Sequence, residues 1–438
     1  TAVFEQSYDN NYNHTSTAYN LDYIDRIGIN NLAWSDANLA AIGSDRIINT
    51  LMSGMLRVNY VFMNRYMITA SIRADGSSRL KDKWCYFPSA ALAWDLKQEN
   101  FLKENSFIDQ LKLRLGYGSV GNQSVEAYRI YSKMSPVRNS DGSTSYKVDR
   151  PAAPYLKWER NDQVNVGIDF GILNGRVRLT ADWYNKVSKD ILLELAQPTH
   201  MGYSSLLMNS GEIKNTGVEF TISADPFTNK DFNWHTDLTL AHNKGTYASI
   251  PTPNHRQQQA GNYQNQLFQM IEKLGTFWGY TFDGIWQEDE VNAPFIDANG
   301  NATGETNGKV YGVVAGNSKY IDVNKDGKIN TEDQGIIGCG QPTFDWGWNN
   351  SFNYKNFDFS FFVVGFHGFD IYNATKQIGF GLIGSQQVAG VTPMRDFLDR
   401  WTPTHTNTNV PGFTNGGTEN KDFFSTRFVE NGSFIKMK

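Results

Sequence analysis

The chain lacks any long hydrophobic run. Its 438 residues contain no stretch of about 18 consecutive apolar residues, and the mean hydropathy is negative, so a membrane-spanning helix is excluded. Charge of one sign is not concentrated either, because the net charge is −5 and no block of about five or six like charges occurs. A nucleic-acid-binding surface is therefore not expected, and we predict no nucleic-acid partner.

Cysteine is scarce, and the chain has only Cys85 and Cys339. Two cysteines are too few for a disulfide framework. A single bridge between them stays open, because spacing along the chain does not show whether they meet. A signal peptide is also missing, since residues 1–6 have neither a basic region nor an apolar segment. We expect the first residue to be an internal or mature start.

Apolar and polar residues alternate in many segments of the chain. Residues 164–170 place Val, Val, Ile and Phe on one side and Asn, Gly and Asp on the other. The same period of two occurs in 56–62, 111–117, 177–183 and 218–222. Such alternation predicts β-strands with one apolar face, and hence an all-β fold. It does not show whether the polar face meets bulk water or a water-filled lumen.

Short and long connections alternate between these predicted strands. The short ones are 63–65, 173–176, 225–231 and 354–357, and the long ones include 120–156, 195–208, 247–341 and 373–424. Outer-membrane barrels have this pattern, with short periplasmic turns and long extracellular loops. We therefore predict a transmembrane antiparallel β-barrel. Counting gives eleven strands with the last one cut short, which suggests part of a larger barrel, because a barrel must close to remove its edges.

A series of motifs resembles one known family in the family's own order. They are Arg-Ala-Asp-Gly-Ser-Ser-Arg at 73–79, Phe-Pro-Ser-Ala at 87–90, the segment 111–123, Asn-Thr-Gly-Val-Glu-Phe at 215–220, the segment 322–330 and Tyr-Lys-Asn-Phe-Asp-Phe at 354–359. Together they resemble the barrel of SusC-like TonB-dependent outer-membrane transporters of Bacteroidetes. Cys85 and Cys339 depart from the family's usual residues.

The resemblance implies a fold and a function. Residues 1–438 would be the middle and C-terminal part of a multi-pass outer-membrane barrel of about 22 strands, with the plug and N-terminal extension absent. The protein would import a glycan oligosaccharide, less often a peptide, with energy from TonB. A SusD-like surface lipoprotein would act as a lid, and TonB would be reached through the absent N-terminal parts. The outer wall would contact membrane lipid.

Residues 322–333 have the spacing of a calcium-binding loop. Oxygen-bearing side chains stand at positions 1, 3, 5, 9 and 12 of this twelve-residue segment, and Gly327 stands at position 6, where an EF-hand-like loop turns sharply. The predicted ligands are the side chains of Asp322, Asn324, Asp326 and Asp333 and the main-chain carbonyl of Lys328. The alternative is a turn rich in Asn and Asp that needs no ion.

Strand parity places 247–341 outside the cell as a long excursion that contains the calcium-type loop. Three aromatic residues in it, Trp278, Tyr280 and Trp286, are candidate substrate-binding residues, because flat rings stack on sugar rings. The alternative is that these rings pack the interior of a long loop.

Catalytic motifs are absent from the sequence. The seven histidines are scattered, and there is no HExxH, no GxSxG elbow and no phosphate-binding P-loop. We therefore expect no enzyme. The alternative to a transporter is a soluble or surface-attached all-β protein that binds carbohydrate in a calcium-dependent way or acts in adhesion.

Overall fold

The structure is a computed structural model that describes residues 2–20, 40–203, 205–250, 255–258, 265–268, 272–379, 395–412 and 424–438. Most of the ordered structure is β-strand, as the alternation predicts. Parts of the predicted long connections 247–341 and 373–424 lie outside the described residues.

Twelve of the described strands form one sheet whose spatial order follows the chain. They are Ala2–Asn20, Ala40–Phe62, Tyr66–Ser77, Trp84–Asp95, Ile108–Asn122, Glu159–Ile172, Val177–Lys189, Glu212–Thr228, Phe232–Ser249, Phe344–Tyr354, Phe357–His367 and Phe434–Met437. Sequential neighbours pair antiparallel, so alternate connections lie at the same edge of the sheet.

The pairing register separates an apolar face from a polar one. Between Ala40–Phe62 and Tyr66–Ser77, Leu56 lies opposite Ile72. One residue further along, Arg57 lies opposite a serine and Asn59 opposite Thr69, whose hydroxyl donates to the Asn59 amide oxygen at 2.9 Å. The apolar side chains of this strand are exposed, at 47% for Leu56. We call the twelve-stranded sheet the wall. Its apolar outer face is suited to lipid, and its hydrogen-bonded inner face is suited to water.

The alternation of short and long connections is present in the structure. Apart from 78–83, which has six residues, the short connections lie at one edge of the sheet: they are 63–65, 173–176, 229–231 and 355–356, together with the helical connection 96–107. Several of their residues adopt positive φ, including Met63 at 52° and Asn64 at 55°, which reverses the chain within a few residues. The long connections lie at the other edge and hold most of the remaining structure.

The strand count differs from the sequence-based prediction of eleven. The additional strand is Ala2–Asn20, which pairs with Ala40–Phe62 over its full length. Its sequence is rich in Asn, Thr and Ser and has no clear apolar alternation, so periodicity did not reveal it. The last strand also begins at Phe434 rather than near residue 425, because residues 426–428 form a turn of helix.

Shorter elements occupy the connections. The short strands are Lys133–Arg138, Thr144–Arg150, Leu192–Ala196, Ser205–Asn209, His255–Gln258, Asn265–Phe268, Thr276–Tyr280, Phe282–Ile285, Pro294–Ile296, Ala302–Thr306, Ser318–Tyr320, Gln334–Cys339, Asp370–Tyr372 and Val429–Asn431. The helices are Asn100–Lys103, Glu288–Asn292, Asn307–Tyr311 and Ala374–Gly379, with 3-10 turns at Leu96–Gln98, Thr199–Met201, Thr331–Asp333, Arg395–Asp399 and Thr426–Phe428. Within the described ranges, none of the helices has the length and apolar character needed to cross a membrane. Both cysteines are free thiols.

One short connection is tied to the wall by a single carboxylate. Glu99, in the helical turn after Trp84–Asp95, accepts hydrogen bonds from the Tyr66 hydroxyl at 2.8 Å and from the Trp94 indole at 3.0 Å. The Arg65 guanidinium donates to the same carboxylate at 2.9 Å. The rings of Tyr66 and Trp94 stack at 6.1 Å and continue a row of exposed aromatic side chains. These rings have the arrangement of an interfacial girdle.

The chain forms two compact units. The first comprises Thr1–Asn105, Gln110–Ile168 and Tyr184–Glu212, and the second comprises Ser106–Asp109, Asp169–Trp183 and Ile213–Lys438. In the first unit a hydrophobic cluster includes Leu80, Phe87, Leu156 and Trp158. The rings of Phe87 and Trp158 meet edge to face at 5.7 Å, and the indole N–H of Trp158 donates to the Lys83 carbonyl at 3.1 Å. This cluster packs the connection 123–158 against the end of the wall.

We predict that Leu156→Ala loosens this connection selectively. The side chain is 2% exposed, so truncation leaves a cavity and costs about 2–5 kcal/mol of local stability. Limited proteolysis of the folded protein should show faster cleavage within 123–158. Tyr155→Ala is the matched control, because the Tyr155 side chain, adjacent to Leu156 in the sequence, is 89% exposed. Equal cleavage rates for the two variants would contradict the assigned core.

Candidate functional site

The connection between Phe232–Ser249 and Phe344–Tyr354 folds around small sheets in the second unit. Thr276–Tyr280 pairs with Gln334–Cys339, and Phe282–Ile285 pairs with Ser318–Tyr320. Aromatic side chains fill the space between these two pairs of strands. The excursion therefore has its own packed interior, as a long loop needs if it is to hold one conformation.

The described parts of the last long connection pack onto this body. The Tyr280 N–H donates to the Phe424 carbonyl at 2.9 Å, and the Phe282 N–H donates to the Thr426 hydroxyl at 2.9 Å. Gly279 permits the close approach, because a Cβ there would lie 2.3 Å from the Phe424 carbonyl oxygen. These two hydrogen bonds fix the two connections to each other in the second unit.

The three aromatic residues predicted to contact substrate lie within this interior or beside it. Tyr280 is 6% exposed and packs 5.9 Å from the Tyr320 ring, and Trp286 is 7% exposed and packs 5.6 Å from the Tyr311 ring. Trp278 is half-buried. The coverage of Tyr280 and Trp286 favours packing over stacking on a sugar, the second of the two alternatives for these rings.

An ammonium group holds the helix Glu288–Asn292 against this interior. Lys319 Nζ lies 2.8 Å from the Glu290 carboxylate, 3.1 Å from Asp283 and 5.1 Å from the centre of the Trp286 ring. Burial disfavours both charges, but the Lys319 ammonium outweighs it and holds the pKa of Glu290 below its ordinary value. Likewise, the hydrogen bonds to Glu290 and Asp283 outweigh burial and raise the pKa of Lys319.

The calcium-type loop 322–333 is ordered by its own side chains. Asp322 Oδ2 accepts from the Gly327 N–H and from the Tyr311 hydroxyl, both at 2.9 Å. Burial, followed by this hydrogen bond to Asp322, raises the pKa of Tyr311 well above its ordinary value. Gly327 has φ of 80°, and a Cβ there would lie 2.5 Å from Val310, so the loop needs glycine at this position.

The remaining predicted ligands make local hydrogen bonds. Asn324 and Asp326 each accept an N–H two residues further on, at 3.1 and 2.8 Å. Asp333 is 2% exposed, and its two oxygens accept the N–H groups of Val323 at 2.9 Å and Asn330 at 2.8 Å. These bonds are those of a turn rich in Asn and Asp.

The environment of one oxygen atom, Asp322 Oδ1, is explained better by a bound ion than by the turn alone. Asp322 Oδ1 is buried and has no hydrogen-bond partner among the described residues, although a buried carboxylate oxygen ordinarily has one. A calcium ion at position 1 of the loop would satisfy it. Within the described part of the chain, no group of three or more His, Cys, Asp or Glu side chains is placed to hold a metal. Calcium therefore stays a prediction.

Sequence reasoning missed one partly exposed aromatic residue of this region. Trp401 lies in the last long connection and lines a cleft with the helix Glu288–Asn292. Its indole N–H donates to the Gln287 side chain at 3.0 Å, across 114 residues of sequence. No local motif marks such a contact, and only the lone Trp in a loop rich in Thr and Asn was visible as a signal.

Comparison with known protein families identifies the wall. The family described as "TonB dependent receptor-like, beta-barrel" matches residues 2–331, more than half of the chain. The chain belongs to this family. Receptor barrels of this family lie in the outer membrane, so the strands of the large sheet cross that membrane.

Curated relatives in the family confirm the SusC-like resemblance. TonB-dependent receptor P3 of Formosa agariphila is 32% identical over 403 residues, which cover 89% of this chain and 38% of that receptor. TonB-dependent receptor SusC of Bacteroides thetaiotaomicron is 30% identical over 409 residues, which cover 89% of this chain and 37% of that receptor. The chain thus spans less than half the length of these relatives.

Solved structures show the same fold. The RagAB peptide transporter aligns with a TM-score of 0.74 at 18% identity, over 99% of this chain and 48% of that chain. The RagAB peptide importer in its closed-closed state aligns with a TM-score of 0.75, over 100% of this chain and 49% of that chain. The predicted barrel fold is therefore confirmed.

The Lys319 contacts predict a pH response of the loops. Because the folded pKa of Glu290 lies below its ordinary 4.5, its stabilisation is present above pH 4.5 and is lost as the pH falls through the folded pKa. Protease protection of the receptor's excursion should therefore weaken below pH 4.5. Glu290→Gln should lower protection at neutral pH and flatten this response. The control is Asp289→Asn, an exposed neighbour, and an unchanged pH profile in Glu290→Gln would refute the assignment.

Proposed function

We propose that the chain is the wall and outer loops of a TonB-coupled transporter that imports an oligosaccharide across the outer membrane. The family match over residues 2–331 is the observation that carries the proposal. A membrane-crossing wall with a polar, hydrogen-bonded inner face supports passage of a hydrated solute. The curated relatives are named receptors rather than enzymes, which supports transport over catalysis.

A glycan is the preferred cargo, and a peptide is the second candidate. Support for a glycan comes from the likeness to SusC, at 30% identity, and from the aromatic residues of the outer loops. RagAB is titled a peptide transporter, but at 18% identity its likeness concerns the fold alone. We further propose that a SusD-like lipoprotein covers the long connections and that TonB supplies energy from the periplasmic side.

Uptake by cells distinguishes these possibilities. Cells that carry the receptor should take up at least one fluorescent neutral oligosaccharide, and a protonophore should abolish the uptake, because coupling through TonB draws on the proton gradient. Cells lacking the receptor are the control. Uptake that resists the protonophore, or uptake of labelled peptides alone, would refute the proposal. A lipoprotein that co-purifies with the receptor in detergent would support the lid.

We also propose that loop 322–333 binds calcium outside the cell. The unpartnered oxygen of Asp322 and the glycine-dependent turn at Gly327 support the site. Asp322, Asn324, Asp326, Asp333 and the Lys328 carbonyl would supply the ligands. A bound ion would stiffen the excursion by joining segments that are now held by single hydrogen bonds.

Calcium titration of the purified receptor tests this site. Calorimetry should detect an ion with affinity of about 10⁻⁴ to 10⁻³ M, the range of extracellular modules. Asp326→Asn keeps the hydrogen bond to the Lys328 N–H but removes a charge, and it should weaken binding at least about tenfold. Asp297→Asn is the matched control, because Asp297 accepts the N–H groups of Asn299 and Asn301 in an ordinary turn nearby. Identical titrations of both variants would exclude the site.

A further inference from the structure

A cleft of about 800 Å³ lies between the helix Glu288–Asn292 and the segment that contains Trp401. Its lining includes the Trp401 indole, and all of its lining residues belong to the second unit. We propose that this Trp401 cleft is a binding subsite for one neutral sugar ring of the oligosaccharide. The proposal rests on the glycan import proposed above and names where, and by what chemistry, a sugar is held.

The indole is fixed before any ligand arrives. Its N–H donates to Gln287 Oε1 at 3.0 Å, and the Trp401 main-chain N–H donates to the Val410 carbonyl at 2.8 Å. Gln287 is held in turn, because its amide donates to the Ile285 carbonyl at 3.0 Å and its main-chain N–H donates to Glu290 at 3.0 Å. A platform held in this way loses little conformational entropy when a ligand binds.

One face of the indole is covered by main chain. A Cβ placed on Gly316 would lie 2.6, 3.0 and 3.2 Å from Cε3, Cζ3 and Cδ2 of Trp401. Similar distances to three adjacent ring atoms put the glycine over the ring rather than beyond its edge. Gly412 approaches the same ring, and its N–H donates to the Gly316 carbonyl at 2.8 Å. Trp401 nevertheless stays partly exposed and lines the cleft, whereas Tyr280 and Trp286 are buried.

Hydrogen-bonding groups surround the exposed part of the ring. Glu288 and Asp289 are exposed, and their carboxylates have no hydrogen-bond or ion-pair partner in the described part of the chain. Asn292 donates from its amide nitrogen to the Glu288 carbonyl at 2.9 Å, while Thr406 and Asn407 are exposed on the other side. A sugar ring has an apolar C–H face for the indole and hydroxyl groups that donate to carboxylates in strong, charge-assisted bonds.

The charge of the cleft restricts the class of sugar. Glu288 and Asp289 both bring acidic side chains to the cleft, and no Lys, Arg or His is among the described residues that line it. Uronates and sulfated sugars would be repelled, so the geometry points to a neutral glycan. A basic peptide side chain is the competing occupant, since it would also suit a Trp beside carboxylates. Such a cation cannot use the donors of Thr406 and Asn407, whereas sugar hydroxyls both donate and accept.

Binding of defined probes by the purified receptor tests the subsite. An array of neutral, amino, uronate and sulfated oligosaccharides, together with Lys- and Arg-rich peptides, should identify a neutral glycan as the best ligand. Trp401→Ala should then weaken binding of that glycan at least about tenfold, because a central aromatic contact is lost. Trp401→Phe keeps an aromatic face and should stay within about threefold of the wild type. Tyr146→Ala, an exposed ring in the first unit, is the control and should change nothing.

The charge rule has its own test. The double substitution Glu288→Gln with Asp289→Asn leaves the platform in place and removes both charges, so binding of uronate or sulfated oligosaccharides should rise at least about threefold. Unchanged selectivity would overturn the role given to the carboxylates.

The outcomes separate this subsite from the proposed import. If Trp401→Ala binds the neutral glycan as the wild type does while cells still import it, the subsite is wrong and the import proposal stands. If the receptor binds only peptides, both are wrong. Equal amounts of each variant in outer membranes, with the wild-type shift on heating before electrophoresis, establish that a loss of binding is not a loss of folding.

Discussion

A main-chain N–H or C=O group inside the hydrocarbon of a membrane finds no water, so each one must be paired within the protein. This constraint explains the large sheet. Its strands pair with sequential neighbours, and between Ala40–Phe62 and Tyr66–Ser77 the register places many side chains of like polarity opposite one another. Alternation then has a different meaning from that in a soluble sheet, because the apolar face is the exposed one.

Because of the same constraint, ligand specificity depends on the connections. A wall whose outer face must be apolar and whose strands must pair has little freedom to vary, while the long connections meet water and can fold as they require. They do so as packed bodies. In the second unit, Tyr280 and Trp286 are buried where the main chain of one connection binds the other, and Trp401 lies on the surface of the same body. The buried rings support the loop, and the partly exposed Trp401 ring lines the cleft.

Local patterns allowed much of the wall to be predicted from sequence. Residues 56–62 alternate clearly, and Met63 and Asn64 mark a tight reversal, so both the strand and its turn were visible. Ala2–Asn20 was not, because its polar residues hide the period and pairing with Ala40–Phe62 decides its structure. The Trp401 cleft was also invisible, since it joins residues 114 positions apart. Loop 322–333 is the intermediate case: its spacing is local, but whether it binds an ion depends on oxygen positions that spacing does not fix.

The Glu99 carboxylate, held by Arg65, Tyr66 and Trp94, gives this end of the sheet a charged group beside two aromatic rings. The two rings keep their carbon surfaces at the hydrocarbon boundary while their polar atoms point toward a charge that must stay in water. Sliding the wall inward by two residues, roughly 6–7 Å along a strand, would carry a carboxylate and a guanidinium into the hydrocarbon. The cost of burying these charges would therefore oppose displacement of this end of the sheet toward the membrane interior.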